Sequence, residues 1–256
     1  MKIKFKKMQS NGNDFLITED KNILNLDAKK LSDRKTGIGF DQLLLLNRSQ
    51  EIWKVRVFNA DGSEARNCFN GLRCLASYSI RDKQEIEIFE NTFTVIRDKE
   101  SSKKIATVLS KMPEGKKIQD FYYVDIGNFH VVKESDDVAN ENLENSYKSF
   151  REKAKEFGLP SNYNLNIFQR VQDMINIRTY ESGVGETKSC GSGTAATAYA
   201  LSLDTNEKEF KFSSKGGDSV ILFESNKILL STAAYELEFE GELSASDFNE
   251  WFKRKA

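Results

Sequence analysis

FNADGSEARNCFNG (residues 58–71) and YESGVGETKSCGSG (residues 180–193) align with one another without a gap. An aromatic residue, a Glu, a basic residue, a Cys and a final Gly coincide, so the two cysteines hold equivalent places. A second pair of segments, NGNDFLI (11–17) and IGNFHVV (126–132), shares Gly-Asn before an apolar run. Because both matches occur in the same order along the chain, they predict an internal duplication.

The duplication predicts two domains. The N-terminal half, residues 1–116, carries Cys68, and the C-terminal half, residues 117–256, carries Cys190. The repeats place the boundary around MPEGKKIQD (112–120). The chain has only two Pro residues and no low-complexity linker, so composition gives no boundary signal of its own. The last strand and a terminal helix are placed in the second half, with the option of packing back on the first.

Short apolar runs separated by turn residues indicate more strand than helix. Their β-branched and aromatic content predicts strands over KIKFKKM, FLITED, QLLLL, WKVRVFN, EIEIFENTFTVI, YYVDIGNFHVV, MINIRTYE and ILLSTAAYELEFEGEL. Helix-like spacing predicts helices over DAKKLSDRK, NGLRCLASYSIRD, SYKSFREKAKEFG, GSGTAATAYALSL and the terminal SASDFNEWFKRKA. The sequence therefore predicts an α+β fold.

Composition limits the possible classes of function. The 256 residues include 38 Lys and Arg against 39 Asp and Glu, and no apolar run approaches the ~18 residues that a membrane span needs. We expect a soluble protein without a membrane partner, and the interspersed charges provide no basic surface for nucleic acid. The N-terminal stretch lacks the apolar core of a secretory signal. A cytoplasmic location follows, where cysteines remain thiols.

Two of the three cysteines occupy positions that suit proton transfer. Each precedes a predicted helix, whose first N–H groups favour a thiolate and also bind carboxylates. A carboxylate held there is stabilised as the charge of an α-carbanion spreads into it. In such a site one thiolate removes the α-proton of an amino acid, and the opposite thiol delivers a proton to the other face. The third cysteine, Cys74, is expected in the core.

Seven short motifs carry a family resemblance. They are GNDF (12–15), TGIGFDQ (36–42), FNADGSE (58–64), CFNGLRC (68–74), GNFH (127–130), YESGVGETKSCGSG (180–193) and KGGDSV (215–220). In order and spacing they resemble the diaminopimelate epimerase family over nearly the whole chain. The resemblance implies a cofactor-free isomerase that converts L,L- to meso-diaminopimelate for lysine and cell-wall synthesis. It also implies a homodimer of chains with two pseudo-symmetric halves, each a mostly antiparallel or mixed sheet around a central helix, and a cleft between them.

The resemblance also implies roles for individual residues. The acid–base pair would be Cys68 and Cys190, assisted by His130 and Glu181. Substrate contacts are implied for the side chains of Asn13, Gln42, Asn59, Asn128, Asn164 and Ser182. The reacting carboxylate would lie on the backbone at the two helix starts, at Phe69, Asn70 and Gly71 and at Gly191 and Ser192. The implied partner is a small amino-acid substrate, with no metal, cofactor or nucleic acid.

Three positions depart from the family pattern. The family has an Arg after the Glu of its YERG motif, where it grips the distal carboxylate, and Ser182 stands here. A hydroxyl replaces a bidentate guanidinium poorly. Phe69 and Phe129 replace the Gly of CGNG and the Pro of GNPH. The catalytic residues are therefore retained while the substrate stays open, and Lys188 and Arg178 are candidates to replace the missing charge.

Other functions remain as alternatives. The same chemistry would serve a different free amino acid, since Ser182 weakens the case for a distal carboxylate. A catalytically inactive amino-acid binding protein, or a thiol switch, would keep the same two cysteines. A zinc site is disfavoured because no C-x₂-C pair exists. A phosphate loop is disfavoured because Ser182 and Thr187 stand where G-x₄-G-K-[ST] needs glycine.

Overall fold

Most of the chain is described by the structure, which is a computed structural model. The described residues are 2–99, 104–224 and 228–244. Apart from Ser244, the helix expected over SASDFNEWFKRKA lies outside these residues. Within them, no helix is long and apolar enough to cross a membrane.

Contacts divide the described chain into two units. Unit 2 is Thr107–Ala233, and unit 1 contains the described residues before and after it. The boundary expected after residue 116 falls inside unit 2. The reason is that MPEGKKIQD does not act as a linker, because Glu114–Ile118 forms a strand that pairs with Phe121–Asp125 of the same unit.

The first part of unit 1 alternates strands with short helices. Its strands are β1 (Lys2–Ser10), β2 (Asn13–Thr18), β3 (Gln42–Asn47), β4 (Trp53–Asn59), β5 (Glu64–Ala65), β6 (Lys83–Ile88) and β7 (Asn91–Asp98). Its helices are α1 (Ala28–Ser32) and α2 (Phe69–Leu75), with 3-10 turns at Lys21–Asn25 and Ala76–Tyr78. Helix α1 begins where the side chain of Asp27 accepts the N–H of Lys29, an ordinary N-cap.

Unit 2 follows with a similar alternation, and the chain then returns to unit 1. The strands of unit 2 are β8 (Ile105–Lys111), β9 (Glu114–Ile118), β10 (Phe121–Asp125), β11 (Phe129–Glu134), β12 (Tyr163–Val171), β13 (Met174–Glu181), β14 (Gly185–Thr187), β15 (Glu209–Ser214), β16 (Gly217–Phe223) and β17 (Ile228–Ala234). Its helices are α3 (Leu143–Glu156) and α4 (Gly191–Ser202). Strand β18 (Glu236–Ser244) then pairs with β1 in unit 1.

The two units share one strand topology. In unit 1, β1 and β2 are antiparallel, β2 and β3 parallel, β3 and β4 antiparallel, and β6 lies parallel to β4 and antiparallel to β7. Unit 2 repeats these pairings with β10, β11, β12, β13, β15 and β16. Each parallel pair needs a crossover. The crossovers contain α1 between β2 and β3 and α2 between β4 and β6 in unit 1, and α3 between β11 and β12 and α4 between β13 and β15 in unit 2. One more strand of each unit is equivalent: β18 pairs with β1 in unit 1 as β9 pairs with β10 in unit 2, and both pairs are antiparallel.

The shared topology extends to single residues. Phe15 on β2 pairs with Gln42 on β3, and His130 on β11 pairs with Asn164 on β12. Gln42 and Asn164 are 122 positions apart, as are the two aligned cysteines. The same offset relates the hairpin of β4 and β5 to that of β13 and β14. Equivalent residues of the two units can therefore be compared directly.

An arginine–glutamate pair joins the two strands of each hairpin. Nε and Nη2 of Arg56 donate to Glu64 at 2.8 and 2.9 Å. The same atoms of Arg178 donate to Glu186 at 2.8 and 2.9 Å. Forked pairs of this kind are more directional than single contacts. They fix each hairpin just before the cysteine that follows it.

The central helices α2 and α4 are buried on every side. All seven residues of α2 and ten of the twelve residues of α4 are buried. A helix covered all round must be enclosed by other elements. Helix α2 packs against β1, β2 and β7, and α4 packs against β9 to β12 and β16. Within each unit, the expected sheet around a central helix is thus confirmed.

The crossover helices cover the alternate residues of the same strands. In unit 1, Leu43 and Leu45 of β3 pack in one cluster with Leu31 of α1. In unit 2, Leu165 of β12 packs in a cluster with Phe150 of α3. Because side chains alternate across a strand, the residues between these point to the central helix. Each sheet therefore has one face for its central helix and one for its crossover helix.

The α+β prediction is confirmed, although several strands, among them β8, β9, β12 and β16, were not predicted. The predicted strands and the two cysteine-capped helices form at the expected places. Strand β12, with the sequence YNLNIFQRV, was not predicted. Its first six residues are all buried, and Asn164 and Asn166 are among them. Strand signals based on apolar residues fail where buried positions are polar.

Candidate active site

Cys68 caps the start of α2. Its backbone is extended, and its Sγ accepts a hydrogen bond from the N–H of Gly71 at 3.3 Å. Its carbonyl accepts the N–H of Leu72 at 2.9 Å, which opens the helix. The thiol thus takes the place of the Ser or Asp side chain of an ordinary N-cap. In that position the helix N–H groups favour a thiolate.

Two residues implied by the resemblance form a hydrogen-bonded chain with Cys68. Its Sγ donates to Oε1 of Gln42 at 2.8 Å, and Nε2 of Gln42 donates to Oδ1 of Asn59 at 2.9 Å. Nδ2 of Asn59 donates in turn to Oγ of Ser63 at 3.0 Å. Gln42 and Asn59 face each other across β3 and β4. The chain orients the amide of Gln42 so that its oxygen, which only accepts, faces the thiol.

Asn13 and Asn70 also lie together in unit 1. Nδ2 of Asn70 donates to Oδ1 of Asn13 at 3.4 Å. Nδ2 of Asn13 donates to Oδ2 of Asp41 at 2.9 Å. Asn13 and Asn70 are both buried. The structure therefore brings the implied side chains of unit 1 together in two hydrogen-bonded groups.

An ionic cluster supports Asn13. Arg34 donates to both carboxylate oxygens of Asp14, at 2.9 and 2.7 Å, and to Asp41 at 2.7 Å. Lys7 also forms an ion pair with Asp14. Burial alone would raise the pKa of Asp14, but the hydrogen bonds from Arg34 and Lys7 outweigh it and hold the pKa at about 2. This cluster was not predicted from the sequence, although both aspartates lie inside the motifs GNDF (12–15) and TGIGFDQ (36–42).

Arg73 places a charge inside the core of unit 1. Its side chain is fully buried, and its Nη1 donates to Oδ1 of Asn70 at 2.6 Å. Burial lowers the pKa of Arg73 to about 10, so the guanidinium remains a cation at neutral pH. This cation interacts with Cys68 and favours its thiolate form. Burial raises the pKa of the Cys74 thiol well above its ordinary value, which suits its expected place in the core.

Cys190 caps α4 in the same way. Its Sγ accepts the N–H of Gly193 at 3.4 Å, and its carbonyl accepts the N–H of Thr194 at 2.9 Å. The Sγ atom also lies 3.4 Å from Oγ of Ser192. Both cysteines are 8% exposed. The two thiols therefore have the same local geometry, each within its own unit.

The implied residues of unit 2 lie on neighbouring strands. Oδ1 of Asn164 accepts the N–H of Ser182 at 3.0 Å, and Oε1 of Glu181 accepts from Oγ1 of Thr187 at 2.8 Å. Asn128 lies in the turn before β11, where its carbonyl accepts an N–H at 3.1 Å. Glu181 occupies the position that Asn59 has in unit 1, at the same offset of 122. The two halves thus present different polar groups at equivalent positions.

His130 is fully buried on β11. Its Nδ1 lies 3.0 Å from Nδ2 of Asn166 on β12. Burial lowers the pKa of His130 to about 3, so the imidazole is neutral over the physiological range. Asn166 was not predicted as a site residue, because strand β12, which carries it, was not predicted either.

Arg178 is engaged elsewhere and does not replace the charge missing at Ser182. Besides its pair with Glu186, its Nη1 donates to the carbonyls of Val138, Ala139 and Glu141, at 2.7, 3.2 and 2.9 Å. Lys188, the other candidate, is exposed. The Oγ of Ser182 accepts a hydrogen bond from the hydroxyl of Tyr147 at 3.3 Å. Ser182 is therefore hydrogen-bonded to Tyr147 of α3.

The two unusual phenylalanines have aromatic partners. Phe69 is buried and packs edge-on against Phe93, with ring centroids 5.8 Å apart. Phe129 stacks on Tyr123 at 5.8 Å. Aromatic pairs of these geometries contribute to packing beyond their buried area. Both substitutions are thus accommodated within the unit that carries them.

All three cysteines are thiols. Across residues 2–99, 104–224 and 228–244, no three His, Cys, Asp or Glu side chains come close enough together to hold a metal ion.

Comparison with known sequences identifies the family. The family model for diaminopimelate epimerase matches residues 5–107 and 122–235. A diaminopimelate epimerase of Neisseria meningitidis serogroup A is 32% identical, over 95% of this chain and 99% of its own. One of Methanocella arvoryzae is 33% identical, over 97% and 99%.

Solved structures share the fold at low identity. A hydroxyproline epimerase from Agrobacterium vitis, with bound trans-4-OH-L-proline, matches with a TM-score of 0.71 and 10% identity over 94% of this chain and 91% of its own. A phenazine biosynthesis protein of the PhzF family from Enterococcus faecalis matches with a TM-score of 0.68 and 12% identity over 95% and 100%. These two likenesses show the fold alone. By its family model and its relatives, the chain belongs to the diaminopimelate epimerase family of isomerases.

Proposed function

We propose that the protein epimerises L,L-diaminopimelate to meso-diaminopimelate with its two helix-capping cysteines and without a cofactor. The repeated geometry of Cys68 and Cys190 carries this proposal: in each, Sγ accepts the N–H three residues further on, at 3.3 and 3.4 Å. A cysteine that only fills a core needs no such position. Family membership supports the type of reaction.

Each helix start would bind the reacting carboxylate. The N–H three residues after the cysteine is directed at sulfur in both helices. The proposal places the carboxylate on the backbone N–H groups of the two preceding residues, Phe69 and Asn70 in α2 and Gly191 and Ser192 in α4. A helix N-terminus favours an anion at this place. As the α-proton leaves, the electron pair of the broken C–H bond delocalises into the carboxylate, which the same N–H groups then stabilise.

The two thiols would exchange roles in each turnover. A thiolate takes the α-proton and becomes a thiol, which forms an S–H bond as the C–H bond breaks. The other thiol gives its proton to the opposite face of the α-carbon and becomes a thiolate. Protons and charge balance without a redox partner, and the reverse reaction starts from the other cysteine. The mechanism requires both thiols to reach one α-carbon.

Groups beside Cys68 support this role. The Oε1 atom of Gln42 accepts the S–H of Cys68, and so orients the thiol when it is protonated. The buried cation of Arg73 supports the thiolate when it is not. His130 and Glu181, which lie in unit 2, are proposed to assist the two thiols.

The identity of the substrate depends on the position of Ser182. Diaminopimelate carries a distal carboxylate, and the guanidinium that would grip it in the family is replaced by Ser182. This substitution supports a second candidate, racemisation of a different free amino acid by the same two cysteines. We further propose a cytoplasmic homodimer whose partner is the small-molecule substrate.

Loss of the α-proton signal in D₂O tests the proposal. Reduced protein without added cofactor is mixed with L,L-diaminopimelate, or with single amino acids, and followed by proton NMR. Exchange with diaminopimelate supports the main proposal, and exchange with another amino acid alone supports the second candidate. No exchange with any amino acid, in protein that is folded and reduced, contradicts both and favours a binding protein or a thiol switch. The double variant Cys68→Ser, Cys190→Ser is the matched control.

A further inference from the structure

A buried polar trio lies beside the start of α4. His130, Asn166 and Thr179 stand on β11, β12 and β13 and are 0%, 0% and 3% exposed. Oγ1 of Thr179 donates to Oδ1 of Asn166 at 2.9 Å, and Nδ2 of Asn166 lies 3.0 Å from Nδ1 of His130. A Cβ at Gly193, in the first turn of α4, would overlap Oδ1 of Asn166. The trio therefore packs directly on the helix that Cys190 caps.

Unit 1 shows that the fold does not require a polar trio here. The equivalent positions hold Phe15, Leu44 and Val57, all fully buried and all apolar. Phe15 pairs with β3 as His130 pairs with β12, and the other two positions lie 122 residues before their counterparts. Polar groups cost free energy on burial, which hydrogen bonds only offset, so apolar residues would serve packing equally well. A polar trio found only beside Cys190 indicates a role in the chemistry of that half.

The carbonyl of Val131 fixes the hydrogens of the trio. A carbonyl only accepts, so the Asn166 atom 3.2 Å from it is the NH₂ group. The other hydrogen of this group is directed at Nδ1 of His130, which must accept it and therefore carries no proton. The proton of the neutral ring then lies on Nε2. Thr179 donates to Oδ1 of Asn166 and so opposes a 180° flip of the side-chain amide.

We propose that Asn166 is a positioning residue, which holds His130 as a neutral imidazole with its proton on Nε2. Resting on the proposed function, this makes His130 a fixed hydrogen-bond donor and leaves proton transfer at the α-carbon to the cysteines. Nε2 is buried and has no hydrogen-bond partner in the part of the chain that the structure describes. An anionic acceptor in the loaded site would satisfy it.

The surroundings of His130 support a neutral ring. Across the flanking strands it pairs with Val124 and Asn164, neither of which ionises. The ionisable residues of the packed helix α4 and its cap are Cys190 and Tyr199. Burial lowers the pKa of His130 to about 3, which favours the neutral form.

The wild-type protein provides a direct test, because the chain has a single histidine. Protein labelled with ¹⁵N-histidine is observed without substrate by long-range ¹H–¹⁵N correlation between about pH 5 and 8, where a free imidazole titrates. We expect a non-protonated Nδ1 and a protonated Nε2 throughout. A protonated Nδ1, or a ring that titrates in this range, overturns the proposal. The result does not depend on which amino acid is the substrate.

Asn166→Asp separates positioning from packing. A carboxylate accepts where the amide donated, so the ring proton is expected to move to Nδ1 and kcat for α-proton exchange to fall about tenfold or more, with KM little changed. Asn91→Asp, at an exposed position of β7, adds the same charge and is expected to change neither. Unchanged tautomer and kcat in folded Asn166→Asp would overturn the proposal. If that variant does not fold, Thr179→Val is compared with Thr179→Ser, and only the former is expected to disturb the tautomer.

Discussion

Replacing Gly193 with Ala tests the close packing of α4 on Asn166. The added Cβ would overlap Oδ1 of Asn166 and lie 3.1 Å from Oγ1 of Thr179. The side-chain amide of Asn166 makes three hydrogen bonds, each worth about 1 kcal/mol. If its displacement breaks two of them, the free energy of unfolding falls by about 2 kcal/mol. Overpacking adds about 1 kcal/mol, and the better helix propensity of Ala recovers about 1 kcal/mol. We expect a net loss of about 2 kcal/mol in the free energy of unfolding.

Gly71→Ala is the matched control in α2. A Cβ there would lie 2.9 Å from Cδ2 of Leu44 and 3.2 Å from Sγ of Cys68. A leucine methyl moves with a change of rotamer, so the overpacking cost of about 1 kcal/mol is balanced by the gain in helix propensity. The free energy of unfolding is therefore expected to change little.

Thermal unfolding measures the difference between the two variants. For a chain of this size about 2 kcal/mol corresponds to a fall in Tm of roughly 4–8 °C, expected for Gly193→Ala and not for Gly71→Ala. Combining Gly193→Ala with Asn166→Ala removes the overlapping atom, so the alanine at 193 should cost much less in that background. Equal falls in Tm for the two single variants, or no relief in the double variant, would refute the packing argument.

Three further predictions concern the site. Cys68→Ser and Cys190→Ser are each expected to lower epimerisation about 10²–10⁴-fold with little change in Tm, because Ser still caps the helix; near-wild-type turnover in either would exclude the two-base mechanism. Ser182→Arg is expected to tighten diaminopimelate binding in calorimetric titration, and unchanged or weaker binding would mean that the distal site is built differently. Asp14, with a pKa held at about 2, contributes stability that is complete above the ordinary carboxyl pKa near 4 and is lost as the pH falls through 2. Tm should therefore fall over this interval in the wild type, and Asp14→Asn should lack that part of the fall.

The duplication could be predicted from the sequence because the two halves have similar residues in their turns and at their helix caps. The hairpin and cysteine of each half are defined by neighbours within fourteen residues, so their pattern survives in two aligned segments. Strand β12 could not be predicted in this way. Its buried residues include Asn164 and Asn166, and a strand pattern read from apolar residues assigns asparagines to loops.

The partners inside each half-site could not be predicted from spacing. Asn166 contacts His130, which is 36 positions away, and Asn13 contacts Asp41, which is 28 positions away. Such pairs depend on the parallel register of strands joined by a crossover. Arg178 was predicted as a candidate for the missing charge because only its type was known, whereas the structure shows it bound to Glu186 and three carbonyls.

The return of β18 to unit 1 has a consequence for synthesis of the chain. Strand β1 pairs with β18 from Lys2 opposite Ser244 onward, and three of its lysines form ion pairs with glutamates there. On the ribosome β1 emerges before β18, so β1 lacks this neighbour until the residues between the two strands have been synthesised. Unit 2, one continuous stretch, completes its contacts earlier. The like charges along β1 discourage pairing between neighbouring nascent chains during that interval, until the glutamates of β18 arrive to neutralise them.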